Sequence, residues 1–465
     1  MKIRSLLAML MAVIMCAACA GPAWAATAKQ HAMADGVNQL NWTLFDAMHG
    51  KNNLFYSPYS IESALALADA GAGGNTKKQM ESVMGVSNLD DFLKDYNAYR
   101  TKEQPASAKL TTANGVWINT NQMGMNELRR DYRRTVQTQM GATVKAEPFS
   151  ALTSQEISRW VRQTTNGFIS DYKPIVSNDS VVDLINAIYF YGEWATPFEA
   201  QMTYKQAFTG VDGVKRNVDM MHQKEGFLRY YADKNFRGLE MPYKNSTLVM
   251  DLVLPASGAN AQSASGAASS KAASTTRGGS TKALKGAPKS GYKQIPGTGA
   301  SAGKTTSAAT GAASGAANAA TPLDVASQWA KLSPAKRTAF LHSLDKAERE
   351  PVQELALPKF TFDNTLSSLP AILQKAGMKD AFDPKKANFD NMAHGLYISD
   401  IQHRTKIQVD EQGSKAAAVT EIAMERAMLM PQGSVTFRCD QPFLYFIRDT
   451  SNGMILFTGV VNVLK

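Results

Sequence analysis

The chain has 465 residues, 44% hydrophobic and 19% charged, which suits one large domain or two ordinary ones with ample core. Its formal net charge of +10 is unevenly placed: seven basic residues lie between Leu252 and Leu323, where there is no Asp or Glu, and Lys2 and Arg4 lie in the leader, leaving +1 for the rest. No global basic field therefore argues for nucleic acid as a partner.

The chain starts Met-Lys-Ile-Arg, continues with an apolar run from Leu6 to Ala20, and reaches Ala23-Trp24-Ala25. Charge, apolar run and small-x-small site together read as a secretory signal peptide over residues 1–25, and the apolar run is short for a spanning helix. Export to the periplasm or the medium is expected. Cys16 and Cys19 lie in that apolar segment, so a metal or redox role for them is disfavoured; lipid attachment at Cys19 is the minor alternative. Only Cys439 then remains, so no intramolecular disulfide is available and the fold must rest on its core. Cys439 reads as a small strand residue.

His31 to Met48 has helical spacing, with Val37, Leu40, Leu44 and Met48 on one side. Ser57-Pro58 reads as an N-cap followed by proline at the first helical position, opening a helix through Ala70. Gly71 to Gly74 end it; they lack the spacing of a phosphate loop. Lys77–Met84, Asp90–Tyr99, Glu127–Gln139 and Ser154–Asp171 read as helices. The third carries Arg129, Arg130, Arg133 and Arg134, read as a solvated face. Leu110–Asn119, the near-continuous apolar run Val181–Tyr191, Phe227–Tyr231, Gly238–Met241 and Leu248–Leu254 read as strands. Residues 256–321 are Ala, Ser, Gly, Thr and Lys with almost no large apolar side chain, the composition of a flexible tether. It reads as a tolerated surface insertion, with a cationic contact to an anionic envelope or polysaccharide as the functional alternative. Helices follow over Leu323–Lys346 and Leu369–Ala376, and strands over Glu354–Phe362, Ile398–Val409 and Val435–Phe437. Phe443–Ile447 and Met454–Val461 are strands joined through Asn452-Gly453, a strong hairpin signal.

The connection Glu411–Pro431 is long and its composition is unusual for a loop. It has one Gly near its start, no Pro before Pro431, and Ala, Val, Ile, Thr and Met between. Read with period two, one face is Ser414, Ala416, Ala418, Thr420, Ile422 and Met424; the other carries Lys415, Glu421 and Glu425. A loop built to become a buried strand is a two-state element.

Glu411-Gln-Gly-Ser-Lys-Ala-Ala-Ala-Val-Thr420 resembles the reactive-loop hinge of the serpins. Asn53–Ile61, Ala70–Met80, Asn186–Phe198 and Phe437–Arg448 resemble further motifs of that family, in the right order, and the resemblance runs from about His31 to Lys465. It implies an α+β serpin fold over 26–465: helices around a large central mixed β-sheet plus two smaller sheets, with an exposed reactive-centre loop over 411–431. It implies an inhibitor and not an enzyme, a monomer with no cofactor or metal, whose partner is a serine protease. By the resemblance, Glu411, Gly413, Ser414, Ala416, Ala417, Ala418 and Thr420 form the hinge. Ser57, Ser60, Asn186 and His403 resemble the shutter beneath the sheet's centre. Trp194, Lys359 and Glu411 resemble the breach where insertion starts, with a Lys359–Glu411 ion pair implied. Family spacing puts the cleaved bond at Ala427–Met428, which suits an elastase-like or subtilisin-like protease; a register one residue shorter puts it at Arg426–Ala427 and suits a trypsin-like one. Lys415 stands where the family commonly has an acidic residue.

The residues themselves point the same way. There is no His-Glu-x-x-His, no Gly-x-Ser-x-Gly and no paired-Cys metal site in the mature chain, and the six histidines are scattered. A non-inhibitory carrier or chaperone of the same family, and inhibition of a cysteine protease by the same trap, are the alternatives.

Overall fold

Ser57-Pro58 sets the start of a deeply buried helix. Ser57 Oγ accepts from the Ser60 N–H at 3.1 Å, and Pro58 stands in the first turn, where its missing N–H has no partner to lose. All residues of Pro58–Asp69 are buried. The helix packs against Ala32–Met48, whose Val37, Leu40 and Leu44 face the core as their spacing predicts. In the computed structural model the described residues are 32–123, 128–170, 172–174, 176, 181–256, 324–366, 368–399, 401–414 and 435–465. The leader, the insert beyond Ala256 and the loop from Lys415 lie outside them.

Helices follow at Gly74–Met84, Leu89–Thr101, Arg130–Met140 and Ala151–Thr164; the first three lie within a few residues of their predicted spans, while the last stops well before the predicted Asp171 because Asn166 and Gly167 turn the chain at φ +50° and +77°. Local chemistry sets the ends: Gly85 closes the first at φ +69°, Asn88 caps the second, and a Ser150/Thr153 capping box opens the last. Val325–Ala330 and Pro334–Lys346 occupy the predicted helical stretch after the insert, and Leu369–Ala376 comes later.

The strands are β1 (Leu54–Tyr56), β2 (Ala108–Asn119), β3 (Thr143–Glu147), β4 (Val182–Glu193) and β5 (Thr203–Thr209). Next come β6 (Lys215–Ala232), β7 (Phe236–Pro242), β8 (Leu248–Pro255), β9 (Arg349–Pro358) and β10 (Phe360–Leu366). The last are β11 (Ile401–Val409), β12 (Gly413–Ser414), β13 (Val435–Arg438), β14 (Phe443–Asp449) and β15 (Met454–Val461). They form a mixed six-stranded sheet, β10-β11-β12-β4-β2-β3, and a nine-stranded sheet, β1-β15-β14-β8-β7-β6-β9-β13 with β5 on β6. The two smaller sheets expected from the sequence are thus one continuous sheet. The 18-residue β6 pairs with β5 at one end and β7 at the other and joins them.

Three strand expectations change. The single strand predicted over Glu354–Phe362 divides at Lys359, whose N–H donates to Asp219 O at 2.8 Å, so β9 ends in one sheet and β10 begins in the other. The strands β1, β3 and β5 are not among those expected from the sequence. The β14–β15 connection is a four-residue loop in which Gly453, and not Asn452, has positive φ, so it is not the tight two-residue turn that Asn-Gly favours. Cys439 lies just beyond β13, buried, with its N–H on Ala356 O at 2.8 Å; burial pushes its thiol up, so it packs and does not react. Several charged groups are sunk in the core, Arg337, Asp251 and Arg448 among them. Arg448 on β14 bonds Asp251 on β8 at 2.5 Å and Asp345 at 2.6 Å, tying the sheet to Pro334–Lys346.

Candidate functional site

β4 and β11 run parallel and pair through only four positions, Leu184–Ala187 with Ile401–Arg404. On the far sides, β2 pairs β4 from Val182 to Gly192 and β10 pairs β11 from His403 to Val409. Near the other end, β12 lies between them, with Gly413 and Ser414 antiparallel to Glu193 and Gly192 and Ser414 opposite Val409. Between these two points, Ile188–Tyr191 and Thr405–Gln408 have no pairing to each other among the described residues. The strands therefore form a wedge, closed at one end and held apart at the other.

The wide end is organised by a tight turn. Asp410 and Gly413 exchange backbone hydrogen bonds at 3.0 and 3.3 Å, and the Asp410 carboxylate takes the Gln412 N–H at 3.0 Å. Trp194 closes over the turn, its indole N–H on Asp410 O at 3.0 Å and its backbone N–H on Gln412 O at 2.9 Å. Its ring stacks on Tyr243 with centroids 4.8 Å apart. Lys359 Nζ lies 2.8 and 3.0 Å from the Glu411 oxygens, and Thr203 Oγ1 donates to the same carboxylate at 2.8 Å. Burial raises the Glu411 carboxyl, but the bonds from Lys359 and Thr203 outweigh it and leave it below its ordinary value. Burial leads in raising Asp410.

Gly413 is required by space. A Cβ there would stand 1.9 Å from Gly192 O, and its φ is not positive. The seated conformation thus uses this glycine for the close approach of two backbones and not for a positive φ. Ser414 is fully buried, with its hydroxyl 2.7 Å from the Tyr243 hydroxyl.

At the closed end, Asn186 on β4 is the register partner of His403 on β11 and of Asn114 on β2. The Ser57 N–H donates to His403 Nε2 at 3.1 Å, which makes Nε2 an acceptor and assigns the proton of the neutral ring to Nδ1. Nδ1 lies 3.4 Å from Ser60 Oγ, which donates to Asn186 Oδ1. Asn186 Nδ2 donates to Asn114 Oδ1 at 2.6 Å, and Asn114 Nδ2 to Tyr96 Oη at 2.8 Å. One directional chain of donors thus crosses three strands and two helices. Burial pushes the His403 imidazole down to about 3.

The structure brings Ser57, Ser60, Asn186 and His403 into one cluster and Trp194, Lys359, Glu411, Gly413 and Ser414 into another. Ala416, Ala417, Ala418, Thr420, Arg426, Ala427 and Met428 lie outside the described residues. Sequence reasoning missed Asn114, Tyr96, Tyr243 and Thr203. Asn114 alone left a signal, as an amide inside a strand next to a glycine. No group of His, Cys, Asp or Glu suited to a metal ion occurs among the described residues.

The buried neutral imidazole makes stability depend on pH. Unfolded, His403 takes a proton near 6.5; folded, only near 3, so the unfolded chain binds more protons across that window. Stability falls as pH drops through it, by roughly 1.4 kcal/mol per unit. His403→Gln removes this contribution, so its melting temperature varies less steeply between pH 6.5 and 4 than the parent's; parallel slopes contradict the assignment.

A family model described as Serpin (serine protease inhibitor) matches residues 35–283 and 322–463, its break falling in the insert. The chain is 27% identical over 444 residues to an uncharacterised serpin-like protein of Thermococcus kodakarensis, covering 93% of this chain and 85% of that one. It is 27% identical over 426 residues to leukocyte elastase inhibitor of Homo sapiens, covering 90% and 95%. The native structure of tengpin, a thermophilic serpin, is similar with a TM-score of 0.71 at 26% identity, covering 94% of each chain. On a family match that spans most of its length, the chain belongs to the serpins.

Proposed function

We propose that this protein inhibits serine endopeptidases as a suicide substrate, with Glu411–Pro431 as bait. The observation that carries the reading is the wedge between β4 and β11 with the start of the bait segment already seated in it. Continuing the antiparallel register of Gly413 and Ser414 sets Ala416 opposite Phe190 and Ile407, Ala418 opposite Ile188 and Thr405, and Thr420 opposite Asn186 and His403. Small side chains thereby meet large ones on the buried face that Ser414 already occupies, while Lys415 takes the other face beside Tyr191 and Gln408.

The chemistry belongs to the protease. Its serine Oγ attacks the Ala427 carbonyl carbon, the bond to Met428 nitrogen breaks, Met428 leaves as the protonated amine, and Ala427 remains as an ester of the enzyme. The freed segment then pairs with β4 and β11 on both edges, each new backbone hydrogen bond adding about 0.5–1.5 kcal/mol. The ester-linked protease is carried along, which distorts its site before water completes hydrolysis. Trypsin-like cleavage at Arg426–Ala427 is the alternative register. Residues 1–25 direct export in this reading, and N-terminal sequencing of the exported protein reads Ala26 first; an intact Met1 contradicts that.

The trap is tested by incubation with pancreatic-type elastase, trypsin and subtilisin, followed by denaturing electrophoresis and intact mass. A denaturation-resistant band at the summed mass is expected, with a released peptide starting at Met428. Ser414→Arg buries an unpaired charge against Tyr243 and is expected to lower the complex at least tenfold in favour of cleaved, free protein. Loop cleavage without complex by every protease, cysteine proteases included, contradicts the inhibitory reading and leaves the fold intact.

A further inference from the structure

One face of the sheet gathers acid at the wide end of the wedge. Side chains alternate along a strand, so Tyr191 and Glu193 on β4 lie on the face opposite that of Gly192 and Ser414. Gln408 and Asp410 share it from the other side of the wedge, on the face opposite that of Val409. The side chains agree with this placement. Tyr191 Oη donates to Glu193 Oε1 at 2.7 Å, and Gln408 Nε2 stands 3.5 Å from Asp410 Oδ2. Burial first, then Glu193, Tyr189 and Asp410, push the Tyr191 hydroxyl up to about 12, so both carboxylates act on that one group.

The two acids are only lightly countered. Exposed Lys244 has its Nζ 3.5 Å from Glu193 Oε2, and exposed pairs of this kind are worth little. Lys109 faces Tyr191 from β2, on the side of β4 away from the wedge. Asp410 is half-buried and makes no ion pair among the described residues; the Gln412 N–H meets it at 3.0 Å, and the nearby Lys359 is bonded to Glu411.

Gly413 lies between the two carboxylates. It is the register partner of Glu193 across one edge, exchanges backbone hydrogen bonds with Asp410 across the other, and brings no side chain to stand between them. In the register of Gly413 and Ser414, position 415 falls opposite Tyr191 and Gln408, and so diagonal to Glu193 and to Asp410. Diagonal neighbours are about 7–8 Å apart, within reach of a long side chain. The residue that the chain carries there is Lys415.

We propose that Glu193 and Asp410 are positioning residues that receive the Lys415 ammonium as the bait segment enters the sheet. The geometry rests on the seated register, and the functional consequence rests on the inhibitory reading. Lys415 is the first residue to enter after Ser414, so the attraction acts on the earliest step in the competition between insertion and hydrolysis of the ester. Half-buried Asp410 gains the counter-charge that its surroundings otherwise withhold.

The test has two readouts. The first is position. Protein nicked between residues 421 and 434 by a protease that is not trapped is treated with a water-soluble carbodiimide, which joins a lysine amine to a carboxyl in contact, and is then mapped by mass spectrometry. A cross-link from Lys415 to Glu193 or Asp410 is expected; Lys415 joined only to other carboxyls, or to none, overturns the proposal. The second is the number of inhibitor molecules consumed per trapped protease. Lys415→Glu is expected to raise it about threefold or more, and Glu193→Lys added to that variant to bring it back within about twofold of the parent. A merely structural role for Glu193 gives no such rescue. Equal consumption by the parent and Lys415→Glu overturns the proposal, as does a double variant no better than the single one. Absence of any trapped complex in the parent counts against the inhibitory reading, and the cross-link then decides the pairing by itself.

Discussion

Two parallel strands that pair at one end only are the constraint on which the rest of this protein depends. β4 and β11 meet at Leu184–Ala187 and Ile401–Arg404 and then part. Backbone groups on facing strand edges that lack a partner favour any chain that can satisfy them. An antiparallel segment that follows directly from β11 through a tight turn is the shortest chain able to do so, and Gly413–Ser414 are its first two residues. Among the described residues, the edges of Ile188–Tyr191 and Thr405–Gln408 thus lack a partner in this sheet, and in the proposed function the residues after Ser414 supply it.

A sheet in this condition needs restraint at both ends of the wedge, and the two restraints are chemically different. The closed end is locked by a buried, uncharged chain of donors from Ser57 through His403, Ser60 and Asn186 to Asn114 and Tyr96. Its members belong to separate strands and helices, so opening the sheet leaves buried polar groups unsatisfied, at a cost of about 1–3 kcal/mol each. The open end is held by a half-exposed ion pair, Lys359–Glu411, and by the aromatic lid of Trp194 on Tyr243. Exposed ion pairs are worth little, so the wide end yields more easily than the closed end. In the proposed mechanism that asymmetry sets the direction of insertion, from Glu411 toward His403.

Much of this was legible in the sequence because it resides in local chemistry. Ser57-Pro58 announces a capped helix, and the small uncharged face that starts at Ser414 announces a buried strand, of which Gly413–Ser414 are the part among the described residues. What was not legible depends on which strands meet. The split at Lys359, with one side of a single apolar run serving each sheet, follows from a bond to Asp219 far away in sequence. The need for glycine at position 413 comes from Gly192 across the sheet, and no local signal carries it. Asn114 and Tyr96 acquire meaning only when β2 is laid beside β4. The insert, by contrast, is readable from composition alone, and the family match breaks within it.

In the proposed inhibitor, the folded chain holds back pairing that loop insertion completes. The most direct measurement is thermal unfolding before and after a nick within 415–434 by a protease that is not trapped. Insertion adds pairing on two strand edges, and for a chain of this size each kcal/mol shifts melting by roughly 1 °C. A rise of several degrees, on the order of 5–20 °C for about ten new backbone hydrogen bonds at 0.5–1.5 kcal/mol each, is expected in the nicked protein. An unchanged or lower melting temperature, with the nick verified by mass, would contradict such insertion.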